Sequence, residues 1–439
     1  MYIRPGLLDR SVQYKENGYA NTGKNNDRSA RAVNQHAKGL TDSRREKDKR
    51  SMHEFPHPAS SHGVPFGSFI QHSTQTFRHT FHSYQCSSHS RIMCIGFWSL
   101  DDPNYCLILC ANRDEFLARP TLPARFHNFG VRLGPSDNDV QIPSVSGGFI
   151  LSGIDLKGGG TWLGINRAGQ IGFLTNIIEP LDGKKFAVSR GSFAQEYLSH
   201  HDSTPSPLLR YLSEHYDGDT THLESAGFNF TLFAPKPSRS SGWEYEAALL
   251  TNHGGHGRLT YRPISADECH CGGISNAIDG SPVDGLGQTG PWPKTDVGRA
   301  RFEGILKARK SSSSDLTDDE QEVALIEALM ELMGWSPPSF HPSQDHLRDS
   351  IFIPPFNIVP CVSTPINPDA SPEPPSTQTS KLCGTRITTV ILIRRDGKVC
   401  FVERDRATLK GDGGPGDVTE VFGSRGKSET QRLYRFSLQ

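Results

Sequence analysis

MCIGFWSLDDPNYCLILCANRDEF, residues 93–116, is the stretch from which the fold is read. Its two apolar runs, CIGFWSL and YCLILCAN, flank the turn signal DDPN (101–104), so the segment predicts a β-hairpin. The second run is apolar at successive rather than alternate positions. That predicts a strand covered on both faces, inside a layered fold. NRDE then sets an amide, a guanidinium and two carboxylates directly after the buried run. If the strand continues, period-two alternation puts Asn112 and Asp114 on one face, with Arg113 and Glu115 on the other. Charges placed there demand partners or a pocket. Two readings follow: a satisfied Asp–Arg pair closing a hairpin, or the polar end of a reactive site. Cys94 is correspondingly core filler or a nucleophile.

Upstream, residues 1–92 are rich in Ser, His, Arg, Asn and Gln and carry the charge cluster RREKDKR (44–50). Hydrophobic periodicity is almost absent, so this extension is expected to be disordered, or to lie upstream of the true start. A mitochondrial presequence is the alternative, but Asp9, Glu16, Asp27 and Asp42 interrupt the segment and transit peptides are poor in acids.

Downstream, GGGTWLGINRAGQIGFLTN (158–176) predicts strand, turn and strand, and helices are expected at 192–201 and after Pro207. Strands are predicted at FNFTLFAP, EYEAALLTN, RLTYRPI and ECHCGGISN. PWPKTDVGRARFEGILKARK reads as a helix, and EQEVALIEALMELMG (320–334) is the clearest helix, closed by Gly334 and Pro337. RITTVILIRRDGKVCFVERD is a hairpin with Asp396-Gly397 at its turn. The Pro-rich stretch 364–380 is expected to be a disordered insertion, and residues 407–439 a flexible tail. Strands, then helices, then strands again suit an α+β fold with two mainly antiparallel sheets rather than a βαβ alternation.

Composition narrows the function classes. Only 35% of the 439 residues are apolar, with 43 Gly and 30 Pro, so much of the chain is expected to lie outside a packed core. The net charge of −1 gives no overall field for nucleic acid. The longest apolar runs are too short for a transmembrane segment. Nine cysteines without framework spacing point to a reducing compartment, and a cytoplasmic location is expected.

MCIGFW, ANRDEFLARPTLPA, GGTWLGIN with LTN, FNF, GGISN with PWPK, then GTRITTVI and VERD occur in that order over residues 93–406. In this the chain resembles the transport and Golgi organisation protein 2 family, also called the NRDE family. Members of that family normally begin at the Met-Cys dipeptide, so the 92-residue extension and the 364–380 insertion are departures. The resemblance implies an N-terminal-nucleophile (Ntn) hydrolase-like domain over 93–406, a four-layer α/β/β/α sandwich. It also implies a link to Golgi organisation and protein secretion, with Golgi, endoplasmic reticulum or mitochondria as associated locations.

What the resemblance implies for the site is carried over residue by residue. Cys94 is the expected nucleophile, with Arg113 and Asp114 beside it. Asn176, ending LTN, is the expected oxyanion donor, and Asn252, ending ALLTN, a weaker second. A first-residue cysteine supplies its own general base, the α-amine with a pKa of about 7.7–8.0, so this mechanism needs a free amine on Cys94. The expected partner is a small acyl or lipid-like ligand, an acyl-thioester or amide, with no cofactor required. The rival reading is a non-catalytic carrier of lipid or haem, haem being cargo; a structural adaptor is the third.

Other candidates are weaker. The glycines of GGGTWLGIN lead into a strand instead of opening a helix, so a tight turn with close packing is expected rather than a phosphate cradle. Trp162 reads as core before ligand platform. Cys269-His270-Cys271 on a strand would place only two ligands together, so no metal is expected. His253 and His256 as haem ligands, and Ser350 with His346 as a hydrolytic pair, lack supporting pattern.

Overall fold

The computed structural model describes residues 93–439, apart from 131, 134–139, 142–146, 181–185, 201–206, 217–223, 237–241, 291, 312–315, 344–345, 359–380, 411–417 and 423–425. The expected extension at 1–92 and the insertion at 364–380 lie outside the described residues. The chain opens on β1 (Ile95–Ser99) and β2 (Tyr105–Phe116), the predicted hairpin. β3 (Thr121–His127), the two-residue strands β4 (Arg132–Leu133) and β5 (Val140–Gln141), β6 (Ile150–Asp155), β7 (Leu163–Asn166) and β8 (Ile171–Asn176) follow. Helices α1 (Gly191–Ser199) and α2 (Leu208–Tyr216) precede β9 (Phe228–Pro235), β10 (Tyr245–Thr251) and β11 (Thr260–Pro263). Next come α3 (Ala266–Cys271), β12 (Gly272–Ile274), α4 (Pro293–Ser311) and α5 (Asp318–Leu332). The last strands are β13 (Phe356–Ile358), β14 (Lys381–Arg394), β15 (Lys398–Asp405), β16 (Ala407–Lys410), β17 (Val418–Val421) and β18 (Lys427–Ser437).

Two seven-stranded antiparallel sheets result. One has the order β12-β1-β2-β14-β15-β18 with β13 against β14; the other runs β11-β10-β9-β8-β7-β6-β3. Leu107, Leu109 and Phe401 of the first sheet pack against Ile165, Phe173 and Leu249 of the second, in one core between the sheets. On the outer face of the first sheet, Ile108, Cys110 and Val390 meet Phe302, Leu325 and Leu329 of α4 and α5. On the outer face of the second, Leu174, Phe230 and Leu250 meet Phe193, Tyr197 and Leu212 of α1 and α2. This is the expected four-layer α/β/β/α sandwich. The uninterrupted apolar character of β2 is explained by it, since from Leu107 to Ala111 odd residues feed the inter-sheet core and even ones the helix layer. Gly397 takes φ +83° at the β14–β15 turn, a conformation that favours glycine there. No helix among the described residues is long and apolar enough to cross a membrane.

Two expectations are corrected. ECHC is helical, not extended. Ser265 caps α3, and its hydroxyl with Glu268 forms a capping box, a Ser-x-x-Glu pattern present in the sequence. In the helix, Cys269 packs against the inter-sheet core, Cys271 against the helix layer, and His270 reaches Asp101 at 2.8 Å. Residues 407–439 are not wholly a flexible tail, because β18 pairs with β15 over Lys398–Asp405. Tyr434 and Phe436, two residues apart, pack on the inter-sheet core, while Arg432 holds Glu403 at 2.7 Å and Asp405.

Glu403 is 1% exposed at its side chain, so Arg432 answers a charge that has little water. Arg432→Met should cost about 3 kcal/mol in urea unfolding, the usual effect of stranding one member of a buried pair. A loss below about 1 kcal/mol would mean that β18 is dispensable to this charge.

Candidate active site

The hairpin delivers Cys94 to the start of β1 and NRDE to the end of β2, side by side, with Ile95 opposite Asn112. The predicted alternation holds. Asn112 turns to the helix layer, donating to the Met333 and Ile351 carbonyls at 2.8 and 3.0 Å and accepting from Thr388 at 2.6 Å. Asp114, on the same face, accepts from the Thr385 hydroxyl at 2.6 Å. Its Oδ2 is buried with no hydrogen-bond partner among the described residues. Arg113, on the opposite face, reaches the second sheet. It donates to Thr121 at 3.1 Å, lies 3.8 Å from Asp155 and 3.7 Å from Glu115, and stacks 4.0 Å over the Trp162 ring. Arg113 and Asp114 thus face apart and do not form the pair that one reading supposed.

Cys94, Arg113, Asp114, Trp162 and Asn176 line one cavity of about 190 Å³. Trp162 is therefore both core and cavity wall. Glu115, Arg119, Asp155 and Arg190 complete its charged lining, three guanidiniums facing three carboxylates. Arg119 is fixed by Asp155 at 2.7 Å. Arg190, just ahead of α1, donates to the Gly227 carbonyl at 3.2 Å. The glycine loop closes the wall: a Cβ on Gly160 would lie 2.1 Å from the Gly191 carbonyl oxygen, and its φ is +68°. The expected close-packed turn is found, docked against the start of α1.

A latch not read from the sequence holds this end of β1. The Ser275 hydroxyl lies 2.8 Å from both the Cys94 carbonyl oxygen and Asn276 Oδ1, and Asn276 Nδ2 donates to the Asn176 carbonyl at 2.6 Å. Residues of GGISN thereby join the two sheets at the cavity. Lys294, from PWPK, was also missed as a site residue. It is fully buried near Asp114 and Cys94. Only the order of residues in the chain, not their spacing, hinted at either contribution.

Burial sets the electrostatics. It pushes the Cys94 thiol up to about 12, helped by Asp114 and opposed by Arg113. It raises the Asp114 carboxyl, against the pull of Lys294, and lowers Lys294 against the pull of Asp114. It also lowers Arg113, against Glu115 and Asp155.

Asn252 does not join the site. Its Oδ1 accepts from the Phe228 N–H at 2.8 Å, its Nδ2 donates to the Ala226 carbonyl at 3.1 Å, and it is fully buried away from the cavity. Ser350 and His346 are not brought together: the Ser350 hydroxyl donates to Phe352 O at 2.6 Å and His346 faces Asp349. His253 and His256 sit in the loop after β10, outside the cavity lining.

The sequence profile of a family described as Transport and Golgi organisation 2 matches residues 93–408. The human Transport and Golgi organization protein 2 homolog is 29% identical over 322 residues, 71% of this chain and 92% of that one. The Drosophila melanogaster Transport and Golgi organization protein 2 is 29% identical over 238 residues, covering 50% and 68%. Among solved structures, a mutant conjugated bile acid hydrolase from Clostridium perfringens aligns over 78% of this chain and 97% of its own, with a TM-score of 0.32 and 9% identity.

A thiol at about 12 has few thiolates at neutral pH. In the 439-residue chain Cys94 should alkylate about a thousandfold more slowly than an exposed cysteine at pH 7.5, with the rate rising about tenfold per pH unit to pH 10. Timed iodoacetamide pulses read by peptide mass spectrometry measure this; a plateau below pH 9 would contradict the burial argument.

Proposed function

The chain belongs to the Transport and Golgi organisation 2 family, and within it we propose that this protein is a thiol-dependent acyl hydrolase for small anionic acyl-thioesters or amides. The family's name links it to transport and Golgi organisation. The observation that carries the proposal is one cavity holding the Cys94 thiol and Asn176 together with the Arg113, Arg119 and Arg190 guanidiniums, beside the carboxylates of Asp114, Glu115 and Asp155. Arg113 and Arg119 are met by Glu115 and Asp155, and Arg190 donates to the Gly227 carbonyl. Guanidiniums bind carboxylate or phosphate bidentately, and such a lining orients an anionic substrate against the sulfur.

The chemistry requires a chain in which the Cys94 amine is free. That amine takes the thiol proton as Sγ bonds to the acyl carbon, then passes it to the departing amine or thiol. Asn176 donates to the oxyanion, an interaction typically worth about 2.7–4 kcal/mol. Water then attacks the thioester, releasing the acid and restoring the thiol. While Met93 acylates the amine, this base is absent and burial keeps the thiol protonated. That observation favours a second reading for the longer chain, a binding protein without turnover. Its cavity of about 190 Å³ favours a small charged group over haem, since pockets for larger ligands run to roughly 300–1,000 Å³.

The test is a panel of short acyl-thioesters and N-acyl amino acids, with protein whose intact mass shows that it begins at Cys94. Cys94→Ala should abolish turnover while leaving the unfolding transition in place. Arg190→Met should raise KM about tenfold with kcat little changed, as expected for lost ground-state binding. Turnover that survives in Cys94→Ala would sink the hydrolase reading.

A further inference from the structure

Met93 is 1% exposed, and its side chain fills a slot walled by Ile178, Trp292, Leu347 and Ile353. None of these four lines the arginine cavity. Lys294 closes the slot: its Nζ meets Met93 Sδ at 3.7 Å and stands 5.5 Å from the Trp292 ring. A thioether is a weak acceptor, so the Sδ contact adds little to a fully buried ammonium whose neighbouring opposite charge is Asp114. The slot therefore ends on a cation better matched to a carboxylate than to the sulfur it holds.

The covalent geometry relates this slot to the thiol. The Met93–Cys94 peptide is an acyl group on the Cys94 nitrogen, and that nitrogen and Sγ are separated by only two carbons. An acyl group on Sγ therefore begins close to the point from which the methionine acyl group enters the slot. Counting from the Met93 carbonyl carbon, the sulfur is the fifth atom of an unbranched chain. Resting on the hydrolase reading above, we propose that the Met93 slot is the acyl subsite, selecting a straight ω-carboxyacyl group of the glutaryl type whose terminal carboxylate meets Lys294. Met93 is then a surrogate occupant that keeps the subsite filled until it is removed. Cys94 lies between two recognition regions, the slot for the acyl chain and the arginine-lined cavity for the remainder of the substrate.

Two measurements on the 439-residue chain test this. Met93→Glu puts a carboxylate carbon at the same fifth position, whereas Met93→Ala empties the slot. Met93→Glu should melt about 3 °C above Met93→Ala, and the order should reverse when Lys294→Met is added to both. A Met93→Glu chain that melts below Met93→Ala with Lys294 present, or does not fold, overturns the inference. In calorimetry, the Met93→Ala chain should bind glutaramate at least about tenfold more tightly than pentanamide, a preference lost with Lys294→Met. Equal affinities, or no binding of either, overturn it. Neither measurement reads turnover, so the Cys94→Ala assay and these experiments fail independently.

Discussion

Charge taken out of water at the end of β2 is the constraint around which the rest of the molecule is arranged. Asn112, Arg113, Asp114 and Glu115 are all buried, and each face of the strand answers its own pair. Toward the helices, Asn112 ties β2 to the end of α5 through Met333 O. It also reaches Arg406, since Thr388 joins both, and Arg406 donates to the Met330 carbonyl. Toward the second sheet, Arg113 reaches Thr121, Asp155 and Trp162, so the glycine loop and α1 are assembled around it. Fixed polar groups of this kind need no rearrangement when a substrate charge arrives, which is what an enzymatic site requires.

Part of this was legible in the sequence. The apolar run of β2 and its alternation into NRDE specify a strand with two buried faces, and Asp396-Gly397 specifies the β14–β15 turn. The layered fold follows from these local patterns. Cys94 and NRDE come together because they lie on one hairpin. Arg190 and Lys294 were not legible, because they lie just ahead of α1 and in α4 and only tertiary packing brings them near the thiol. Asn252 was misplaced for the same reason: LTN recurs at the end of β8 and β10, but only the β8 copy reaches the cavity. The helix at ECHC was missed because its capping pattern, Ser265 to Glu268, was outweighed by the strands around it. β18 was missed because Arg432 and Arg435 obscure the period-two apolar face of Tyr434 and Phe436.

Cys94 is at once a buried residue and part of the cavity wall. Its carbonyl is held by Ser275, its neighbour Met93 is buried in the core, and the residue itself lines a charged cavity. The same burial that packs the start of β1 keeps the thiol protonated at neutral pH. Packing and reactivity are therefore opposed at this residue.

The alternation along β2 also constrains what evolution can change there. A substitution at one position perturbs one network, and its neighbours keep their faces. A single inserted or deleted residue within Tyr105–Asn112 would instead exchange the two faces of everything after it. Arg113 would turn into the helix layer and Asp114 into the inter-sheet core, each leaving its partners behind. The length of this hairpin arm should thus vary less among descendants of this gene than the identity of the residues composing it.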